Sequence, residues 1–200
     1  MAPLLRPLVD YRPSKDGNAM SASDSRSIRT FPHEVVRLTI PVPTTFSEFR
    51  DSYERAVPAL QADRYEQFKK ERAGWDVVRA ATEENAPHSF IRYWGTDVAS
   101  LMELAAESRP CVEYLMGNHV FAQRMFRHDP SVMLYAPLRT AIYVDGDDRT
   151  WFTIDQPRTR FDSFDDPRIA QVGRELDAEL ADLLDHLGLP VPTELLADGN

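Results

Sequence analysis

Apolar residues recur along this chain with two different spacings, and the spacings delimit its elements. From Val35 to Ile40 they are β-branched and partly alternating, which predicts a strand that stops at Pro41-Val42-Pro43. Thr44 or Thr45 then caps a helix. Phe46, Phe49, Tyr53, Ala56, Val57 and Leu60 recur at three and four, and Pro58 kinks or ends the stripe. The charged run Asp63 to Arg72 reads as a second helical piece. Trp75 to Ala80 and Ser89 to Trp94 read as strands, with a turn at Asn85-Ala86-Pro87 between them. Asp97 caps a helix whose apolar face is Val98, Leu101, Met102 and Ala105. Val112 to Met116 is a short apolar run closed by Gly117-Asn118. A helical stripe of Phe121, Ala122, Met125 and Phe126 follows.

Two features further on are sharper. Leu138, Thr140, Ile142 and Val144 alternate with Arg139, Ala141 and Tyr143. After the turn Asp145-Gly146-Asp147-Asp148, Trp151 to Asp155 returns as the partner strand of a hairpin. A long closing helix is capped by Asp165 or Asp166, with Pro167 in its first turn. It buries Ile169, Val172, Leu176, Leu180, Leu183, Leu184 and Leu187, and Gly188 terminates it. Helices and strands alternate irregularly rather than as repeated βαβ units, which is an α+β pattern. Residues 1–32 are polar and small in their second half and read as a flexible or partner-docking arm. Residues 33–190 form the domain, and 191–200 are expected to be a loose tail.

Composition narrows the function classes. The chain has 200 residues and a formal charge of −9, so it lacks the positive footprint a nucleic-acid binder needs. Its single cysteine excludes an internal disulfide and a zinc site built on several thiolates. No apolar run reaches the ~18 residues of a membrane span. The start, broken by Pro3 and Pro7, is a poor signal peptide, so a cytoplasmic location is expected. The motifs GxGxxG, GxSxG and the P-loop are absent. No cofactor is expected from the families those motifs mark.

The stretch Tyr114-Leu115-Met116-Gly117-Asn118-His119, then Ala122, Asp129-Pro130 and Leu134-Tyr135-Ala136-Pro137-Leu138-Arg139, resembles the DUF302 family. Ile142-Tyr143-Val144-Asp145-Gly146 and Asp165-Asp166-Pro167 before the amphipathic helix fit it too. The likeness is best over 112–188. It is weaker over 35–80, where Gly74-Trp75-Asp76-Val77-Val78 looks like the end of the family's opening strand–helix–strand. It departs at His119, where the family usually has proline, and at Leu138, where it often has cysteine. The resemblance implies a curved antiparallel sheet with helices packed on one face, a TBP-like fold, and a tendency to form a homodimer. It implies no activity.

Candidate chemistry centres on Gly117-Asn118-His119. A glycine turn into a helix start frees backbone N–H groups that can bind an anion or oxyanion, and His119 there is an acid, base or ligand. The bland alternative makes Asn118 an N-cap and His119 its solvated neighbour. His33, His88, His119, His128 and His186 form no HExxH pattern. A metal site would need assembly through space, for example from His88 and His119, and none is expected. Cys111 reads as a buried, inert thiol.

Arg92, Tyr93 and Trp94 end one strand, Arg139 and Tyr143 share a hairpin face, and Trp151, Thr153 and Asp155 share the partner's. If these faces converge beneath the long helix they line an aromatic pocket with a few polar groups. If they do not, the aromatics are core and the arginines are surface, with Asp155 as a partner for Arg139. Three functions stay open. The first is a binder of a small, partly apolar organic ligand through Arg92, Trp94, Asn118, Arg139 and Trp151. The second is an isomerase, cyclase or dehydratase with His119 and Tyr143 as catalytic groups. The third is a dimeric interaction scaffold.

Overall fold

A computed structural model describes residues 28–196. The chain divides into Met1–Phe31 and Pro32–Asn200, and the architecture below is that of the second unit. Nearly all of the expected arm 1–32 lies outside the described residues, as does the end of the expected tail, 197–200.

Five strands form one antiparallel, curved sheet in the order β1-β5-β4-β3-β2. They are β1 (Arg37–Val42), β2 (Ile91–Asp97), β3 (Cys111–Gly117), β4 (Leu138–Val144) and β5 (Thr150–Asp155). The expected hairpin is β4–β5, with Tyr143 opposite Trp151 and Thr140 opposite Ile154. Period-two alternation decides the faces. Leu38, Ile40, Val42, Val112, Tyr114, Met116, Thr140, Ile142, Phe152 and Ile154 are buried on one side. Arg37, Thr39, Glu113, Arg139, Ala141 and Thr153 stand on the other, where they are exposed or half-buried.

Helices close over the buried side. α1 (Phe46–Ala56) starts at a capping box in which Thr45 and Glu48 satisfy each other's backbone N–H. It contributes Phe49 and Tyr53 to the core. α7 (Pro167–His186) is capped by Asp166 and buries Ile169, Val172, Leu176, Leu180, Leu183 and Leu184. Each such side chain contributes roughly 1.5–3 kcal/mol on leaving water. The helix stops where Gly188 takes φ +69, a conformation that favours glycine. Between these lie α2 (Ala62–Glu71), α3 (Trp75–Asn85), the single turn α4 (Ala99–Met102), α5 (His119–Phe126) and α6 (Pro157–Phe161). A short α8 (Thr193–Leu196) follows α7.

Three expectations need correction. Trp75 to Ala80 is not a strand but the first half of α3. Trp75 and Val77 stay exposed, and the helix buries Ala81, Thr82 and Asn85 instead. Small and polar side chains at helical spacing carried a signal that the Val77-Val78 pair masked. The helix after Asp97 is one turn long. Its Leu101 and Met102 are exposed, and it buries Ala99 instead. Residues 191–196 are not loose: Leu195 is buried, and Gln156 Nε2 donates to the Glu194 carbonyl at 2.8 Å.

Gln156 belongs to a buried polar knot. Asp177, 2% exposed on α7, accepts from Gln156 Nε2 at 2.6 Å and from the Arg158 backbone N–H at 2.9 Å. Burial outweighs these bonds and pushes the Asp177 carboxyl up to about 6. A carboxyl whose folded pKa exceeds its unfolded value, ~3.9, favours folding when protonated. Its contribution is present below about pH 4 and is lost as pH rises through about 6. Asp177→Asn should therefore gain stability relative to wild type, by about 3 kcal/mol, between pH 4 and pH 7. Urea unfolding of both proteins across that range checks the slope, and parallel curves would exclude it.

Candidate functional site

The cavity that joins chemistry to shape lies where strands end and helices begin. β3 closes at Gly117, Asn118 turns the chain, and α5 starts at His119. A Cβ on Gly117 would meet Pro137 Cβ at 3.3 Å and the Tyr93 ring at 3.4 Å, so glycine lets both close in. Asn118 is the N-cap: its Oδ1 accepts from Val120 N–H at 2.8 Å. Its Nδ2 donates to the Ser89 carbonyl at 2.8 Å, tying the start of α5 to the loop before β2. Both ends of the amide thus hold the frame.

His119 is clamped between aromatic rings. Tyr65 of α2 stacks on it with centroids 4.5 Å apart and 22° between planes, and Tyr65 Oη bonds Thr82 Oγ1 of α3 at 3.1 Å. Tyr93 of β2 lies on another side, its Oη 3.1 Å from His119 Nδ1. Burial lowers the His119 pKa from its ordinary value and raises that of Tyr93, so both are neutral at pH 7. With Tyr93 as donor to Nδ1, the ring's own proton sits on Nε2.

Tyr93, Gly117, Asn118 and His119 face a cavity of about 220 Å³. Its remaining wall is apolar: Phe121, Ala122 and Met125 of α5, Phe161 of α6, Leu176 of α7, and Met133, Ala136, Pro137 and Leu138 before and at the start of β4. On the far side of Met133, Pro137 and Leu138 is a second cavity of about 400 Å³. It also takes in Leu115, Leu134 and Tyr135, with Arg139, Asp155 and Arg160 as its charged groups.

Of the side chains picked from the sequence, the structure brings Tyr93, Asn118 and His119 to the first cavity. Tyr143 pairs with Cys111, at the far end of β3 from Gly117 and so roughly 20 Å away. Trp151 spends its indole N–H on Asp145 at 2.8 Å, and this bond leads the causes that hold the Asp145 carboxyl below its usual range. Trp94 is about half exposed beside the bulge in edge strand β2. Arg139 is on the outer face, paired with Glu113 at 2.9 Å rather than with Asp155, which takes Arg160. The expected convergence of the Arg139/Tyr143 and Trp151/Thr153/Asp155 faces beneath α7 does not occur. Those are the alternate positions whose neighbours, Thr140, Ile142, Phe152 and Ile154, fill the core.

Arg92 points under α1, where its guanidinium lies 3.5 Å from Glu54 and over the Tyr114 ring at 5.3 Å. Burial alone would raise the Glu54 carboxyl. Hydrogen bonds from Tyr114 and Arg50, with the charge of Arg92, outweigh it and hold Glu54 below its ordinary value. That cluster ties α1 to β2 and β3.

Tyr65 was missed as a partner of His119, whereas Tyr93 was named in the strand end Arg92-Tyr93-Trp94 without a role beside His119. Tyr65, inside a charged run, carried no local signal. His88 does not join His119; it stacks on His186 with centroids 3.6 Å apart. Among the described residues no three His, Cys, Asp or Glu side chains could hold a metal ion. No described helix is long and apolar enough to cross a membrane.

Known proteins locate this architecture. Residues 74–187, more than half the chain, match the family model described as "Domain of unknown function DUF302". The crystal structure of an uncharacterized conserved DUF302 protein from Bacillus stearothermophilus is similar, with a TM-score of 0.54 and 18% identity. The match covers 76% of this chain and 97% of that one. At that identity the likeness shows the fold alone. No curated protein matches the chain.

An imidazole desolvated in this way should titrate below the ordinary histidine value of ~6.5. NMR of the ring protons from pH 4 to 8, with His119→Gln to assign the resonance, checks this. A His119 midpoint at or above 6.5 would show that the ring is solvated.

Proposed function

The chain belongs to the DUF302 family, and from that premise we propose that it binds a small, largely apolar organic molecule in the cavity beside His119. The supporting observation is the wall itself. Among the described residues, Tyr93, Asn118 and His119 are the polar side chains on it, and the rest of the lining is apolar or aromatic. That is the composition of small-molecule sites, in which few polar groups set orientation. At about 220 Å³ the cavity falls below the ~300–1,000 Å³ range of drug-sized sites, so the ligand is small. Asn118 is engaged by the frame at both ends of its amide, which leaves Tyr93 and His119 to orient a hydroxyl or carbonyl.

The Tyr93–His119 hydrogen bond also favours a second reading, acid–base catalysis on the bound molecule. A neutral imidazole held by a neutral phenol has a fixed ring orientation, which proton transfer requires. Tyr143, at the other end of the sheet, has no part in it. A dimeric scaffold role has no comparable support at the cavity.

Ligand-observed NMR with phenol and cyclohexanol tests the binding reading. Saturation transfer should be seen with wild type and with Lys70→Ala on the exposed surface of α2. It should be lost with Ala122→Trp, which fills the cavity from α5. Equal signals from wild type and Ala122→Trp would locate binding elsewhere and remove the proposal.

A further inference from the structure

The cavity beside His119 is one of two compartments on either side of a single stretch of chain. Met133, Pro137 and Leu138 line both, so the inner apolar chamber and the outer chamber share a wall. The two differ in chemistry. The outer chamber carries Arg139, Arg160 and Asp155, with Glu113 held against Arg139, whereas among the described residues no Asp, Glu, Lys or Arg lines the inner one.

Neither arginine is used up. Arg160 bonds Asp155 through one terminal nitrogen and lies over the Tyr135 ring at 5.1 Å. Arg139 lies 2.9 Å from Glu113 through Nη1, and its side chain is 74% exposed. A guanidinium has five N–H donors in a planar fork, so each retains donors that a second carboxylate can take. Around them Leu115, Leu134 and Tyr135 supply apolar surface continuous with the shared wall.

We infer that the ligand is an amphiphilic carboxylic acid, with its hydrocarbon or aromatic body in the inner chamber and its carboxylate at Arg139 and Arg160. This rests on the inner cavity being the binding site and adds the ligand's charge and polarity to that reading. Met133, unbranched and about half exposed, forms the sill the ligand crosses, and a flexible thioether suits that place. Asp155 and Glu113 set the selectivity: an anion must compete with carboxylates already present, so a neutral body alone gains nothing from the outer chamber.

Calorimetry on the full chain with matched probes tests this: hexanoate and 3-phenylpropanoate against hexan-1-ol and 3-phenylpropan-1-ol. Each acid should bind roughly tenfold more tightly than its alcohol, the scale of one charge-assisted contact. Arg139→Gln, a change at an exposed side chain, should remove most of that advantage and leave alcohol binding unchanged. Ala122→Trp should abolish binding of both. Acid and alcohol binding equally to wild type would overturn the inference while leaving the cavity reading intact. An acid advantage that survives both Arg139→Gln and Arg160→Lys would overturn it too, as would acid binding that survives Ala122→Trp. Failure of both alcohols and of phenol to bind would sink the cavity reading, and this inference with it.

Discussion

An antiparallel sheet covered on one side leaves each strand little freedom. Every second residue must enter the core, and its neighbours must face away. In β4 and β5 the core takes Leu138, Thr140, Ile142, Thr150, Phe152 and Ile154, packed with α1 and α7. Arg139, Tyr143, Trp151 and Asp155 are thereby excluded from any site under the helices, however suitable their chemistry. Slipping either strand by one residue would expose the apolar set and bury Arg139 of β4 or Asp155 of β5, a far larger cost than any ligand contact repays. The cavity beside His119 therefore arises at the end of the sheet, where β3 finishes and β4 begins.

That end is held by local devices rather than by bulk packing. Asn118 caps α5 and reaches the Ser89 carbonyl, so the loop before β2 and the start of α5 move together. Gly117 brings Pro137 and Tyr93 in close. Tyr65 reaches His119 from α2 and is itself tied to Thr82 on α3. One imidazole is thus oriented by three separate segments. Its partners are aromatic and neutral, so the polar centre of the cavity carries no formal charge. Charge is kept on the other side of the shared wall.

Two carboxylates, half-buried Glu54 and buried Asp177, show the same economy. Glu54 lies among Tyr114, Arg50 and Arg92 and stays ionised below its ordinary range. Asp177 is surrounded by weaker compensation, and burial prevails. The first knits α1 to β2 and β3. The second joins the turn after β5 to α7 and, through Gln156, to α8. Neither opens on the cavity beside His119, and both read as structural.

Where a signal is local, residues alone were sufficient. The Thr45 capping box, the β4–β5 hairpin, the Asp166 cap, the apolar stripe of α7 and its stop at Gly188 are each encoded within a few neighbouring positions, and each forms as the pattern requires. Asn118 and His119 were legible for the same reason, because a glycine turn into a helix start is a short-range motif. The resemblance carried by residues 112–188 pointed to the right family. What tertiary structure decided is which face of each strand is inside. Tyr143 and Trp151 alternate as regularly as Ile142 and Phe152, and period-two alternation has no preferred sign until helices cover one side. Tertiary structure also decided that Tyr65 and Tyr93, 28 residues apart in sequence, meet at one imidazole. No local rule encodes a contact made by packing α2 and β2 against the first turn of α5.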